Sequence, residues 1–154
     1  MRIVRLEDGD EDVVLGCSEL FDHPPRRAWA ARFLAGAGHH LLVAFAEGPS
    51  PIGFVSGVET THPDKGTEMF LYELSVHPDH RRLGVGRALV EALGALARSN
   101  GCYGMWVGTD RENQAALATY RAAGADEPED CVVFNWTFDR STEAPTAPPA
   151  RRAS

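Results

Sequence analysis

Leu74-Ser75-Val76-His77-Pro78-Asp79-His80-Arg81-Arg82-Leu83-Gly84-Val85-Gly86-Arg87-Ala88-Leu89 decides how this chain is read. Met69 to Val76 (MFLYELSV) has the apolar and aromatic character of a strand. From about Val85 to Asn100, Val85, Leu89, Leu93 and Leu96 recur at helical spacing, with Arg87, Glu91 and Arg98 opposite and Asn100-Gly101 as a stop. His77 to Gly84 is therefore a loop that leaves a strand and opens a helix. The first N–H groups of a helix have no intrahelical partner and carry the positive end of its dipole. Glycine lets an anion come close to such a backbone, and Arg81, Arg82 and Arg87 add charge around it. Physical chemistry alone thus points to a phosphorylated ligand here. The competing reading is that Gly84 and Gly86 only make a tight turn, with Arg81 and Arg82 as solvated charges. A P-loop would need GxxxxGK[ST] and a dinucleotide fingerprint GxGxxG; this loop has no such lysine, and position 89 is leucine.

Outward from this stretch the chain alternates. Arg2 to Leu6 reads as a short strand, and Asp10 to Phe21 as a helix with an acidic first turn. Pro24 and Pro25 suit the start of a second helix, in which Trp29, Phe33 and Leu34 recur. His40 to Ala46 is a continuous apolar run, and Ile52 to Thr60 follows a turn; both read as strands. Tyr103 to Gly108 is a further short strand. Gln114 to Ala123 is a helix with Asp110 or Asn113 as its cap and Gly124 as its terminator. Cys131 to Phe138 alternates, with Val132, Phe134, Trp136 and Phe138 on one face, and reads as a final strand. The order is a mixed α/β domain, with Met69–Val76 expected to run parallel to Tyr103–Gly108 across a right-handed crossover. Residues 1–140 form a single domain in this reading. Residues 141–154, rich in Pro, Ala and Thr, lack large apolar side chains and are expected to be a disordered tail.

The 154 residues suit one domain, and a 44% hydrophobic share is enough for a core. A net charge of −7 argues against a nucleic-acid partner, which selects basic patches, and suits a cationic one. Cys17, Cys102 and Cys131 make no paired framework and read as reduced structural thiols. Met1 to Leu6 is followed by no apolar run, and nothing approaches the ~20 apolar residues of a membrane span, so a soluble cytoplasmic protein is expected. His77 and His80, and the adjacent His39 and His40, lack the further ligands of a zinc site, so no metal is expected.

Two motifs carry a resemblance. Leu74-Ser75-Val76-His77-Pro78 followed by Arg81-x-x-Gly84-x-Gly86 resembles the acetyl-CoA signature of the GNAT N-acetyltransferase superfamily. Asn113-Gln114-x-Ala116-x-x-x-Tyr120-x-x-x-Gly124 resembles its second motif. The resemblance implies a GNAT fold: a mixed, mostly antiparallel sheet with a central splayed pair of parallel strands, flanked by helices. It implies that acetyl-CoA is the cosubstrate. The pyrophosphate would rest on the amides of Arg82, Leu83, Gly84, Val85, Gly86 and Arg87, beside Arg81. The pantetheine would pair with the backbone of Leu74, Ser75 and Val76 as an added strand, with Asn113 bonded to it. Tyr120 would protonate the departing thiolate, since a phenol pKa near ~10 suits that role. Asn113 as a helix cap and Tyr120 as a packed core residue are the competing readings.

An ammonium acceptor must lose a proton before it attacks. Glu73, in the strand before the loop, is the candidate base if it lies near the splayed strands, where desolvation would raise its pKa; exposure on the strand's other face is the alternative. Tyr72-Glu73-Leu74-Ser75-Val76, His80-Arg81-Arg82 and Asp110 to Tyr120 most resemble the GNAT-type aminoglycoside 3-N-acetyltransferases. That subgroup has Asp where this chain has Glu73 and Ala where it has Gly86. The resemblance implies a small-molecule amine as acceptor, an aminoglycoside among the candidates, attacking directly in a ternary complex. Glu59, Asp64, Glu68, Asp110, Glu112 and Asp126–Asp130 are candidates to line an acidic groove. Antibiotic resistance and a homodimer joined through the last strand are what such relatives suggest. A peptide, protein or polyamine acceptor, a non-catalytic acyl-CoA sensor and a nucleotide-binding regulator remain open.

Overall fold

A computed structural model describes residues 1–138. The tail expected over 141–154, and the last two positions of the expected domain, lie outside the described residues. The order is β1 (Arg2–Arg5), α1 (Glu11–Gly16), α2 (Arg27–Leu34), β2 (His39–Phe45), β3 (Pro51–His62), β4 (Gly66–Val76), α3 (Val85–Ser99), β5 (Met105–Trp106) and α4 (Gln114–Ala122). The five strands form one sheet in the order β1-β2-β3-β4-β5, antiparallel except for the parallel β4–β5 pair. This is the mixed, helix-flanked sheet with a central parallel pair that the resemblance implied.

Cross-strand partners share a sheet face, so the register sorts the side chains. Leu41, Val43, Phe45 and Phe54 pack under Val14, Leu20 and Ala30 of the first helical region. Leu42, Ala44, Val55, Met69 and Leu71 pack on the other face against Leu89, Leu93 and Ala97 of α3. The helix expected over Asp10 to Phe21 is broken: α1 ends at Gly16, and Ser18–Leu20 is a 3-10 turn. Burying both Cys17 and Leu20 uses the tighter i→i+3 bonds from Cys17 N to Val14 O and from Leu20 N to Cys17 O. Burial pushes the Cys17 thiol up to about 11, which suits a structural thiol and not a nucleophile. Glu59 Oε1 accepts from Asn100 Nδ2 at 2.6 Å and lies 2.7 Å from His40 Nε2, tying β2 and β3 to the end of α3.

Two expected strands are corrected. Tyr103 to Gly108 shrinks to Met105–Trp106, because β5 leaves β4 after two pairs. Cys131 to Phe138 is not a strand: it has no ladder partner among the described residues, and Val132, Val133, Phe134, Trp136 and Phe138 stand exposed. Alternation supplied the pattern of a strand, but a strand exists only where an edge receives it.

β3 and β4 approach closely at Gly53, where a β-carbon would stand 2.8 Å from Ser75 O and 3.3 Å from Leu89 Cδ1. Backbone oxygen cannot swing away as a side chain can. Gly53→Ala is therefore expected to destabilise the protein by ~1–3 kcal/mol, read as a lower urea midpoint. An unchanged midpoint would mean the ladder yields at no cost.

Candidate active site

β4 carries the site. On its β3 side it is paired from Gly66 to Val76. On its β5 side the pairs are Met69↔Met105 and Phe70↔Trp106. From Leu71 to Val76 that second edge has no strand beside it among the described residues, so the two parallel strands part there. A register shift between Ser56 and Gly57 leaves Tyr72 unpaired between Leu71 and Glu73. A bulge bends a strand and increases its twist, and this one sits where the strands part. Leu74, Ser75 and Val76, expected to meet an extended amide chain, all lie on the open segment.

The loop after Val76 folds back on itself. His77 N donates to Ile52 O at 2.9 Å, and Pro78–His80 form a 3-10 turn. Arg81 Nε donates to Val76 O at 3.0 Å, so this arginine ties the loop to the end of β4. Arg82 has φ 59°, the one positive-φ non-glycine among the described residues, and Gly84 caps α3 with φ 81°. Left-handed residues alternating with ordinary ones turn successive N–H groups toward one concavity. Ala88 N makes the first bond of α3, to Gly84 O, so the amides of Val85, Gly86 and Arg87 precede any intrahelical partner. This end of α3 seats deeply. A β-carbon on Gly86 would stand 3.3 Å from Thr119 Cγ2 and 3.6 Å from Val76 Cγ2, so α3, α4 and β4 converge there. Leu83 is exposed on the loop, and Arg87 pairs with Glu91 one turn on. The loop fits a diphosphate by its backbone, with the arginines around it.

Asn113 is the cap of α4: its side chain accepts from Ala116 N at 3.1 Å. Tyr120, on α4, packs against the α3-side core, and burial raises its phenol above the ordinary value. Glu73 lies on the opposite face of the sheet. It pairs with Ser56, next along β3 from Phe54 on the α1–α2 face. Burial, and then the negative charge of Asp22, raise its carboxyl above the ordinary carboxylate range. Glu73 and Tyr120 therefore face each other's side of the sheet only through the parting of β4 and β5.

Asp22 escaped the sequence reading. Phe21 packs at a tilt against Phe54 with ring centroids 4.3 Å apart, which brings the chain before α2 over the Glu73 face. The one available signal was the Phe21-Asp22-His23-Pro24-Pro25 break between helices. Phe70 stacks on Trp106 at 4.3 Å and meets Tyr72 edge-on at 5.7 Å, giving this face an aromatic wall. The acidic groove is corrected in part. Glu59 bonds His40 and Asn100, Asp64 pairs with His62, and Glu68 accepts from Tyr103 Oη. Glu68 is eight residues from Val76 along β4, roughly 26 Å at strand rise, at the hairpin end. A cleft of ≈ 550 Å³ beside the loop is lined by Gly16, Ser18, Glu19, Ser50, Pro51, Ile52, His77 and His80, not by Glu73 or Tyr120. Among the described residues no group of three or more His, Cys, Asp or Glu is placed to hold a metal, and no helix is long and apolar enough to cross a membrane.

Comparison with known proteins converges on this geometry. The acetyltransferase (GNAT) family profile matches residues 6–125. Aminoglycoside N(6′)-acetyltransferase type 1 of Stenotrophomonas maltophilia is 34% identical over 114 residues, 74% of this chain and 71% of that protein. The [ribosomal protein bS18]-alanine N-acetyltransferase of Escherichia coli is 37% identical over 60 residues, 39% of this chain and 40% of that protein. In fold, the chain matches the aminoglycoside acetyltransferase meta-AAC0020 from an uncultured soil metagenomic sample, in complex with sisomicin. The TM-score is 0.82 at 20% identity, over 90% of this chain and 96% of that one. Aminoglycoside N-acetyltransferase AAC(6′)-Iy in complex with CoA matches with a TM-score of 0.75 at 22% identity, over 88% and 93% of the two chains. The Stenotrophomonas enzyme and AAC(6′)-Iy carry the 6′ designation, not the 3-N one expected from Tyr72 to Val76.

The left-handed backbone of Arg82 stores strain. Arg82→Gly is expected to stabilise the fold by ~1 kcal/mol, raising the urea midpoint. A lowered midpoint would mean that the arginine side chain contributes more than its backbone loses.

Proposed function

The chain belongs to the GNAT acetyltransferase family and is an acetyl-CoA-dependent N-acetyltransferase; from that premise we propose that it acetylates a primary amine of a small cationic molecule, by direct attack in a ternary complex. An aminoglycoside is the acceptor its relatives support, with the 6′ amine the first position to test. The observation that carries the reading is the parting of β4 and β5, with a proton-binding carboxyl on one face and a phenol on the other.

The donor occupies the parting. Its pantetheine amides pair with the open edge from Leu74 to Val76, and its diphosphate rests on the amides from Arg82 to Arg87. A backbone cradle needs no particular side chain, which is why Leu83 can be exposed and Arg87 can pair with Glu91. Asn113 caps α4 with its carbonyl oxygen, leaving its amide nitrogen for the donor.

The acceptor arrives on the α1–α2 face as an ammonium, drawn by Glu73 and Asp22. Glu73 takes one proton from it. The freed nitrogen lone pair attacks the thioester carbonyl, and the C–N bond forms as the C–S pair collapses onto sulfur. Tyr120 gives its proton to that sulfur from the other face. The nitrogen gives up its second proton, which restores the Tyr120 phenol through water, and Glu73 releases the first to solvent, so the products are the amide, CoA thiol and one released proton. A carboxyl raised toward neutral pH is a stronger base than an ordinary one, and a raised phenol stays protonated until it is needed.

Release of CoA thiol is to be measured with aminoglycosides, polyamines, amino acids and short peptides, followed by mass spectrometry of the product. Release with an aminoglycoside supports the proposal. Release with a peptide alone would replace the acceptor by a protein amine, and acetyl-CoA binding without release would favour a sensor. Glu73→Gln is expected to lower turnover roughly 10²–10⁴-fold with acetyl-CoA affinity by calorimetry nearly unchanged, and unchanged turnover would remove Glu73 from the chemistry. Below its pKa Glu73 is protonated and accepts nothing, so kcat/KM is expected to fall on the acid side, above the ordinary carboxylate range. Asp22→Asn removes a negative neighbour, lowers the Glu73 pKa, and should move that limb to lower pH. A limb that stays in place would show that Asp22 does not act on the base.

A further inference from the structure

The ≈ 550 Å³ cleft at the end of β4 has no part in the reaction proposed above. Its volume falls within the ~300–1,000 Å³ of small-molecule sites. The break after α1 shapes it. The 3-10 turn that follows buries Cys17 and Leu20 and leaves Ser18 and Glu19, between them, to line the cleft. The loop after β4 contributes His77 and His80, whose rings meet edge-on with centroids 5.9 Å apart. Ser50 joins from the turn between β2 and β3.

The polar tips of these residues are free. Among the described residues, no hydrogen bond or ion pair occupies the Glu19 carboxylate, the Ser18 and Ser50 hydroxyls or the His80 ring. His77 Nδ1 accepts from Asp79 N at 3.3 Å, so the neutral ring carries its proton on Nε2 and keeps one donor to give. The cleft therefore offers a carboxylate, two hydroxyls and two imidazoles. That set suits a group with both an ammonium and hydroxyls. It does not suit a phosphate, which the Glu19 carboxylate repels.

The cleft also continues the acceptor face. Glu73 pairs with Ser56 and Ser75 with Phe54, so both belong to the α1–α2 side, and alternation brings His77 to that side next. From Glu73 to His77 is four residues, about 13 Å at strand rise. The segment between α1 and α2 runs alongside: Asp22 acts on Glu73, and Glu19 lines the cleft. Carboxylates thus stand at both ends of one path. We propose that the cleft is a distal subsite of the acceptor, taking a hydroxylated ring whose ammonium lies about 13 Å beyond the amine at Glu73.

Glu19 holds that ammonium, and Ser18, Ser50, His77 and His80 meet the hydroxyls. The subsite rests on the acceptor reading given above and adds a length to it. A single ring is too short to touch both carboxylates, so acceptors of several linked rings gain affinity that one-ring amines do not. A linear polyamine has the reach but leaves the hydroxyls and imidazoles to water.

Two measurements on the full chain separate the subsite from the reaction. In the first, the ring signals of His77 and His80 are followed by NMR during titration with kanamycin, which has three rings, in the absence of acetyl-CoA. Both are expected to shift and saturate, while glucosamine, with one ring, leaves them in place at the same concentration. In the second, thiol release is measured with kanamycin. Glu19→Gln is expected to raise KM roughly 5–10-fold with little change in kcat, and Glu19→Asp to restore most of the loss. Ring shifts produced by CoA alone would give the cleft to the nucleotide end of the donor and overturn the proposal. Spermine displacing kanamycin from the two rings at equal concentration would overturn it in favour of a linear polyamine. Thiol release with unmoved rings and an unchanged KM in Glu19→Gln would leave acetyl transfer standing and remove the subsite. Ring shifts with no transfer to kanamycin would sink the aminoglycoside reading and with it the acceptor role of the cleft, while its affinity for the cation stands.

Discussion

The structure depends on a parallel strand pair that stops early. β4 and β5 hold together at Met69↔Met105 and Phe70↔Trp106 and then part. A strand edge left open inside a sheet carries unpaired N–H and C=O groups, which is unfavourable unless something else fixes the strand. Here β3 fixes it, paired along β4 from His62↔Gly66 to Gly53↔Val76. α3 supports it from behind, with Leu89 and Leu93 fully buried against the β3–β4 floor. Gly53, Gly57 and Gly86 are the points where this support is tightest: a β-carbon on any of them meets a neighbour at 3.3 Å or less. Rigidity on one edge is what permits vacancy on the other. An extended ligand then meets a preformed edge and spends little on ordering it.

The same parting settles the electrostatics. Glu73 and Tyr120 belong to opposite faces, and each is partly withdrawn from water. For both acids, withdrawal disfavours the charged form, so both hold their protons more tightly than they would in solution. A carboxyl moved toward neutral pH and a phenol moved away from it suit the base and the acid proposed for them. Two such groups on one face would compete for one proton. Separated by a sheet, they communicate only through whatever fills the gap. Asp22 sharpens the asymmetry, because its charge acts on Glu73 and is not among the causes acting on Tyr120.

What was legible in the sequence was local. The helix that opens after Gly84 and the cap at Asn113 both appear as read, because spacing and capping act within a few residues. The parallel pairing of β4 with β5 followed from a strand–helix–strand order. What was not legible depended on distant contacts. Asp22 approaches Glu73 only because Phe21 finds Phe54, a partner more than thirty positions away. Glu59 looked like a surface acid and is held by His40 and Asn100, which no short window contains. Arg81 looked like a charge for the phosphates and bonds the last carbonyl of β4.

The two halves of the candidate site differ in kind, and that difference explains the rest. The donor half is made of backbone: free amides, an open strand edge and glycines where chain meets chain. Backbone geometry leaves a spacing rule in the sequence, so this half can be recognised from a few glycines and arginines. The proposed acceptor half draws on side chains from the segment between α1 and α2 and from β4 and β5, which converge only after folding and leave no common spacing. Cys131 to Phe138 belongs to the same argument. Its alternation states that a strand needs a partner and carries no address for it, because the ladder that completes a strand always lies on another segment. A sequence can therefore announce an unmet edge as clearly as a met one, and only the fold distinguishes them.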